Sequence, residues 1–248
     1  MKRKKPLSIA ILLLSALLVL TFSLMYVFAE PVSPYIKVLP EETSDSTLTP
    51  GNYYNISIYT DYDGSDVWSW QFELTFDPAV LQGVQVRNGD LITTIKDASA
   101  VFDSGDFDNT LGELSLTVAY FAYDSPPAPT TSGPGTLAYV DFTVVGYGFS
   151  DIELSDNTQL LDPAGFPPII GADWHPDQIG HAYFRNLHPG DADGDKYVGS
   201  ADAGVLNGAY GTWRGDPLYV RESDFDLDGY IGSADAGILN GNYGITFP

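Results

Sequence analysis

The chain has 248 residues, room for one medium domain and a small one, and its 44% hydrophobic and 13% aromatic content sits among 25 Gly and 17 Pro. That mix suits a turn-rich β protein and excludes a mainly disordered chain. Beyond residue 29, seven Lys and Arg face all 33 Asp and Glu, a net of −26, so the surface repels phosphate backbones and nucleic acid is excluded as a partner.

There is no cysteine and there are three His, which excludes disulfide frameworks, thiol catalysis, Cys-based zinc sites and a His-rich metal site. Any metal staple must be held by oxygen. In chain order, residues 1–29 read as a secretory segment. The basic run Lys2, Arg3, Lys4, Lys5 precedes an apolar stretch from Leu7 to Ala29, with cleavage expected after Ala29. The same stretch is long enough for an uncleaved membrane anchor with its basic end inside. Both readings place residues 30 onward outside the cell, where calcium is abundant.

Strands follow. From Asp66 the run DVWSWQFELTFDPAVL alternates Trp68, Trp70, Phe72, Leu74 and Phe76 with Ser69, Gln71, Glu73 and Thr75, a period of two that puts five large apolar groups on one face, as core rather than as a ligand platform. Further strands are expected at Tyr35 to Leu39, Tyr53 to Thr60, Gly83 to Arg87, Leu91 to Ile95, Leu114 to Tyr123, Thr136 to Val145, Ile152 to Leu154 and His181 to Phe184. Eight or nine short strands punctuated by Pro and Gly turns predict a two-sheet β-sandwich or jelly roll over residues 30–186.

The composition shifts at Leu187 to Gly190, and residues 187–248 form a second, small module. Within it DADGDKYVGSADAGVLNGAYG, Asp191 to Gly211, recurs as DFDLDGYIGSADAGILNGNYG, Asp224 to Gly244, an offset of 33 residues. Two copies are too few for a solenoid. A twelve-residue calcium loop presents oxygens from positions 1, 3, 5, 7 through a backbone carbonyl, 9 through water, and 12. Asp191, Asp193, Asp195, Tyr197 and Asp202 fill these places in the first copy, and Asp224, Asp226, Asp228, Tyr230 and Asp235 in the second, which predicts two calcium ions. Lys196 stands where the second loop has Gly229, at a position that prefers positive φ. Each loop runs into a short helix. Ser200 and Ser233 are expected to N-cap it, Val205, Leu206 and Tyr210 with Ile238, Leu239 and Tyr243 to supply its apolar side, and Gly211 and Gly244 to end it. Four internal glycines weaken these helices, so calcium must supply folding free energy to the module.

The duplicated loop-plus-helix unit, with no helix before the loop, resembles a dockerin of the type I kind, the calcium module that plugs into cohesins in cellulosome-type assemblies. Residues 33–186 resemble a cohesin-like jelly-roll sandwich, through WQFELTFDPAVL followed by Gly89-Asp90-Leu91 and GPGTLAYVDFTVV followed by Gly148. The dockerin resemblance implies a partner face at Ser200, Ala201, Asn207 and Gly208, and at Ser233, Ala234, Asn240 and Gly241. Likeness between the copies, concentrated in the helices, adds Gly204 and Gly237 and suggests docking in two orientations.

Two functions compete: a non-catalytic assembly adaptor with cohesin-bearing and dockerin-bearing partners, and a carbohydrate-binding module delivered to polysaccharide by its dockerin. A plug that fitted another copy's sandwich would give head-to-tail self-association. No motif marks a nucleophile, and His175, His181 and His188 read as surface residues. Asn55-Ile56-Ser57 is a glycosylation sequon, and the Asp61, Asp63, Asp66 and Asp103, Asp106, Asp108 clusters read as acidic turns.

Overall fold

A computed structural model describes residues 35–62, 67–93, 99–122, 130–131, 133–164, 168–171 and 178–247. The expected secretory segment, Asp63, Asp66 and His175 lie outside them. Among the described residues no helix is long and apolar enough to cross a membrane.

Among the described residues, fourteen strands build two sheets. The first has the order β13-β1-β3-β9-β5, from Ile179–Gly180 (β13), Ile36–Leu39 (β1), Tyr53–Thr60 (β3), Gly135–Val144 (β9) and Leu81–Asn88 (β5). The second has the order β12-β11-β4-β10-β14-β2, from Ile170–Gly171 (β12), Gln159–Leu161 (β11), Ser69–Thr75 (β4), Phe149–Leu154 (β10), Ala182–Arg185 (β14) and Glu42–Ser44 (β2). Its other members are Glu113–Ala122 (β8), which pairs with β4, and Ser99–Asp103 (β6) and Phe107–Asp108 (β7), which pair with β8. The expected sandwich is present, with six short strands (β2, β6, β7, β11, β12 and β13) beyond those expected and one expected strand replaced by a bend. Leu91 and Ile92 are not in a strand but in a bend, both buried, while residues 94–98 lie outside the described set. Their apolarity reflects a loop folded back over the core. The Asp90 carboxylate accepts the Thr136 amide at 2.7 Å, and a Cβ on Gly89 would sit 2.0 Å from the Thr136 carbonyl oxygen, so Gly-Asp-Leu pins this bend against the start of β9.

Period-two patterning builds the core where sheets face each other. On β4, Trp70, Phe72 and Leu74 are buried, and Phe76 beyond it packs edge-on against Phe142 of β9 at 5.1 Å. Trp68 is only half-buried; its indole donates to the Phe121 carbonyl at 2.8 Å. Full burial of each such side chain stabilises by roughly 1.5–3 kcal/mol.

One charge is buried in the first sheet. Asp141 on β9 accepts Arg87 Nε and Nη2 at 3.0 Å each, the Gln85 amide at 2.7 Å and the Asn55 amide at 2.5 Å. Burial disfavours its charge, but Arg87, Tyr53, Gln85 and Asn55 together hold its carboxyl well below the ordinary carboxylate range. The Asn55 amide of the sequon is thus committed to Asp141 and to the Val140 carbonyl.

Residues 191–247 have a separate small core of Ala192, Val198, Leu206, Ala209, Phe225, Ile231 and Leu239, beneath helices Ser200–Ala209 (α1) and Ser233–Asn242 (α2).

Candidate metal centre

In each loop the first aspartate organises the curl. Asp191 accepts the Gly194 amide at 2.8 Å and the Lys196 amide at 3.1 Å, and Asp224 accepts the Gly229 amide at 2.9 Å. The fifth position repeats an Asx turn, Asp195 to the Tyr197 amide at 2.7 Å and Asp228 to the Tyr230 amide at 2.8 Å. The closing aspartates face back. Asp202 accepts the amides of Ala192 and Gly199 at 2.7 Å each, and Asp235 those of Phe225 and Gly232 at 2.7 and 2.8 Å.

These last bonds correct the caps. The N-cap residues are Gly199 and Gly232, with Ser200 and Ser233 in the first helical turn. A glycine has no side chain to cap with, so the carboxylate three residues on reaches back to the cap amide instead. Gly211 and Gly244 close the helices at φ +86° and +85°. On the apolar side Leu206 and Leu239 are buried, Val205 and Ile238 are half-buried, and Tyr210 and Tyr243 stay exposed. The two halves hold each other crosswise. Val198 of the first loop pairs with the segment after α2, and Ile231 of the second with the segment after α1 (Gly244 N to Val198 O 2.7 Å; Gly211 N to Ile231 O 2.8 Å). Neither copy completes its backbone bonds alone, which accounts for a repeat of two.

Carboxylate oxygens of Asp191, Asp193 and Asp195 lie within 4.8 Å of one another, as do those of Asp224, Asp226 and Asp235. Asp202 and Asp228 fall outside these tightest groups. Asp191, Asp202, Asp224 and Asp235 are fully buried, and burial raises the carboxyl pKa of Asp191 and Asp224. Asp224 Oδ1 is buried with no hydrogen-bond partner. Hard oxygen donors, converging charge and an orphaned buried oxygen fit a divalent cation. Among the described residues, such groups of three occur only in these two loops. The Asp103, Asp106, Asp108 region runs from the end of β6 through a short loop to β7, with Asp103 and Asp108 accepting nearby backbone amides.

Two non-glycine residues carry left-handed backbone, Lys196 at φ +70° and Leu227 at φ +59°, and they alternate with glycines at +77° (Gly194) and +83° (Gly229). Each loop has two such positions and spends one glycine on a different one. A side chain there costs about 1–2 kcal/mol, and glycine returns part of it as unfolded-chain entropy. Leu227→Gly is therefore expected to stabilise the module by about 0.5–1 kcal/mol, read by thermal unfolding in calcium; a lower midpoint would refute the strain.

The outer faces of α1 and α2 are small. Ser200, Ala201, Gly204, Asn207 and Gly208 are exposed, as are Ser233, Ala234, Gly237, Asn240 and Gly241, and a Cβ on any of the four glycines would meet nothing within 4 Å. Internal packing does not demand those glycines. On the sandwich, the exposed large apolar groups are Tyr53, Val84, Leu111, Leu116 and Phe149, and Trp70 is fully buried. Among the described residues these are spread over separate strands and a turn, and only Tyr53 and Phe149 of them carry rings.

A two-sheet β-sandwich followed by a pair of acidic loop-helix units defines the class: a β-sandwich module joined to a small module with two candidate cation loops. Residues 50–160 match the family model of the cohesin domain. No curated protein matches the chain significantly. Similar solved structures include a type II cohesin domain from the cellulosome of Acetivibrio cellulolyticus, 22% identical, covering 62% of this chain and 95% of that one with a TM-score of 0.45. A type I cohesin–dockerin complex from Clostridium thermocellum is 11% identical over 61% of this chain and 98% of that one, TM-score 0.45. A non-cellulosomal cohesin from the archaeon Archaeoglobus fulgidus is 18% identical over 61% and 88%, TM-score 0.39.

Proposed function

We propose that this chain is a secreted, non-catalytic assembly adaptor. Its cohesin sandwich receives dockerin-bearing proteins, and its C-terminal module is a calcium-loaded dockerin that plugs into cohesin-bearing proteins. The observation that carries this reading is the paired aspartate clusters, one in each loop, at the end of a chain whose sandwich matches the cohesin family. Asp191, Asp193, Asp195, the Tyr197 carbonyl and Asp202 would hold one ion, and Asp224, Asp226, Asp228, the Tyr230 carbonyl and Asp235 the other. When bound, calcium neutralises the buried carboxylates and ties each loop to the first turn of its helix.

The small outer faces of the two helices support a partner surface. Glycine inside a helix costs up to about 1 kcal/mol relative to alanine, and here open space surrounds it, so close approach by another protein's sheet accounts for the composition. Both faces carry the same five residue types, so the plug can dock either way round.

The test is capture by the full chain in calcium. It should retain dockerin-bearing and cohesin-bearing cellulosomal proteins and should not adhere to insoluble polysaccharide. Arginine at Asn207 and Gly208 together, or at Asn240 and Gly241 together, should leave cohesin capture nearly intact, whereas all four changes should abolish it. Replacing glycine raises helix propensity, so unfolding would not explain the loss. Retention on polysaccharide without protein capture would replace the adaptor by a carbohydrate-binding function, and loss from either pair alone would refute two-way docking.

A further inference from the structure

Of the seven basic residues beyond the N-terminal segment, Arg185, Arg214 and Arg221 gather where the small module touches the sandwich, and a fourth, Lys196, lies 4.4 Å over the Tyr147 ring of the sandwich. In so acidic a chain this concentration marks a built contact. Glu42 of β2 accepts Arg214 at 2.7 Å and Arg221 at 2.6 Å, and its side chain is only 18% exposed, so solvent screens these pairs less than surface pairs. The Arg221 guanidinium also lies 3.9 Å over the Tyr183 ring of β14 and 3.5 Å from Asp151 of β10. Arg185, at the end of β14, is buried. It donates to the Asp191 carbonyl at 2.9 Å and packs 5.0 Å from the Phe225 ring.

The clamp is continuous with the second loop. Arg221 begins the 3-10 turn Arg221–Ser223, which ends directly before Asp224, and the Asp224 amide donates to the Arg221 carbonyl at 3.1 Å. The hydroxyl of Tyr219, two residues before the clamp, donates to the Asp224 carboxylate at 2.5 Å. Holding Arg221 against Glu42 and Tyr183 therefore holds the aspartate that opens the loop.

We infer that the C-terminal module is docked in cis on the sandwich through this arginine clamp, and that docking and cation loading of the second loop reinforce each other. The inference rests on the calcium reading above and adds an interface between the chain's own modules. Two events that favour the same arrangement of one element are linked, and the linkage is reciprocal. The adaptor then behaves as a rigid connector when loaded, with the small-residue faces of both helices left exposed.

The test uses the full chain, titrated calorimetrically with calcium alone. The Trp213 ring packs at a tilt against Tyr230 of the second loop, 4.5 Å between centroids, so its fluorescence assigns one of the two transitions to that loop. Glu42→Gln combined with Asp151→Asn changes only sandwich residues outside both loops and should weaken calcium at the second loop about fivefold. Arg87→Gln, on the other sheet, should leave both sites as they are. Hydrogen exchange gives the reciprocal reading: chelation should speed exchange of the β2 amides in the unaltered chain. Should the double variant misfold, this second measurement decides. Unchanged calcium affinity in a folded double variant, or β2 exchange indifferent to chelation, would overturn the coupling and leave the calcium reading intact. No uptake by the unaltered chain would overturn both.

Discussion

Chelation of calcium from the full chain is expected to unfold residues 191–247 while the sandwich stays folded. The two parts have separate apolar cores, and that of the small module has only seven buried side chains. A core of that size supplies a few kcal/mol at most. A site held at a hundred times its dissociation constant adds about 2.7 kcal/mol, so two sites supply about 5 kcal/mol. Removing them leaves the carboxylates of Asp191, Asp202, Asp224 and Asp235 buried without their counter-charge. Far-ultraviolet circular dichroism with calcium and with chelator checks this, and superimposable spectra would sink it. The pH dependence of the stripped protein follows in sign. Burial raises the carboxyl pKa of Asp191 and Asp224, so the folded module binds more protons than the unfolded chain. Its stability is greatest in acid and is lost as pH rises through those raised values. Mild acidification should restore part of the helical signal without calcium, and calcium should make that acid rescue unnecessary.

Trp70→Ala is expected to destabilise the sandwich by about 3–5 kcal/mol, the cost of emptying a large buried aromatic site. Trp70 is fully buried and lies against Phe72 at 5.7 Å and Phe102 at 6.1 Å. Its indole nitrogen is buried without a partner, so Trp70→Phe, which keeps a ring and removes the orphaned donor, should cost far less. Chemical denaturation of the three proteins separates the cases. If the stripe served as a sugar platform, alanine would abolish polysaccharide retention and spare stability, and that result would return the carbohydrate reading to first place.

The sequence by itself determined the two-part organisation of candidate chemistry and core. Alternation along β4 names Trp70, Phe72, Leu74 and Phe76 as inward because a strand's side-chain period is a local property. The early loop ligands are equally local: a curled loop brings positions one, three and five together within four residue steps, and the trio Asp191, Asp193, Asp195 is close for that reason, whereas Asp235 joins Asp224 and Asp226 from eleven residues on. Positive φ at Lys196 was visible by comparison with Gly229 in the other copy.

What needed the tertiary structure is what depends on residues far apart in the chain. The short strands β2, β7 and β11 to β13 carry too few residues for a period, and β6 shows no alternation of buried and exposed residues; neighbouring strands make them strands by supplying their hydrogen bonds. Leu91 and Ile92 are apolar because a bend covers the core, and composition does not separate that from a strand. Glycine rather than serine caps both helices because the Asp202 and Asp235 carboxylates turn back to the cap amides. The crosswise bonding of Val198 and Ile231 spans the full repeat. Least legible was Glu42, an ordinary acid in sequence, 172 residues before Arg214 and 179 before Arg221. Its role exists only where β2 lies beside β14 and the loop between the repeats folds back, since an ion pair is defined by distance in space and leaves no pattern along the chain.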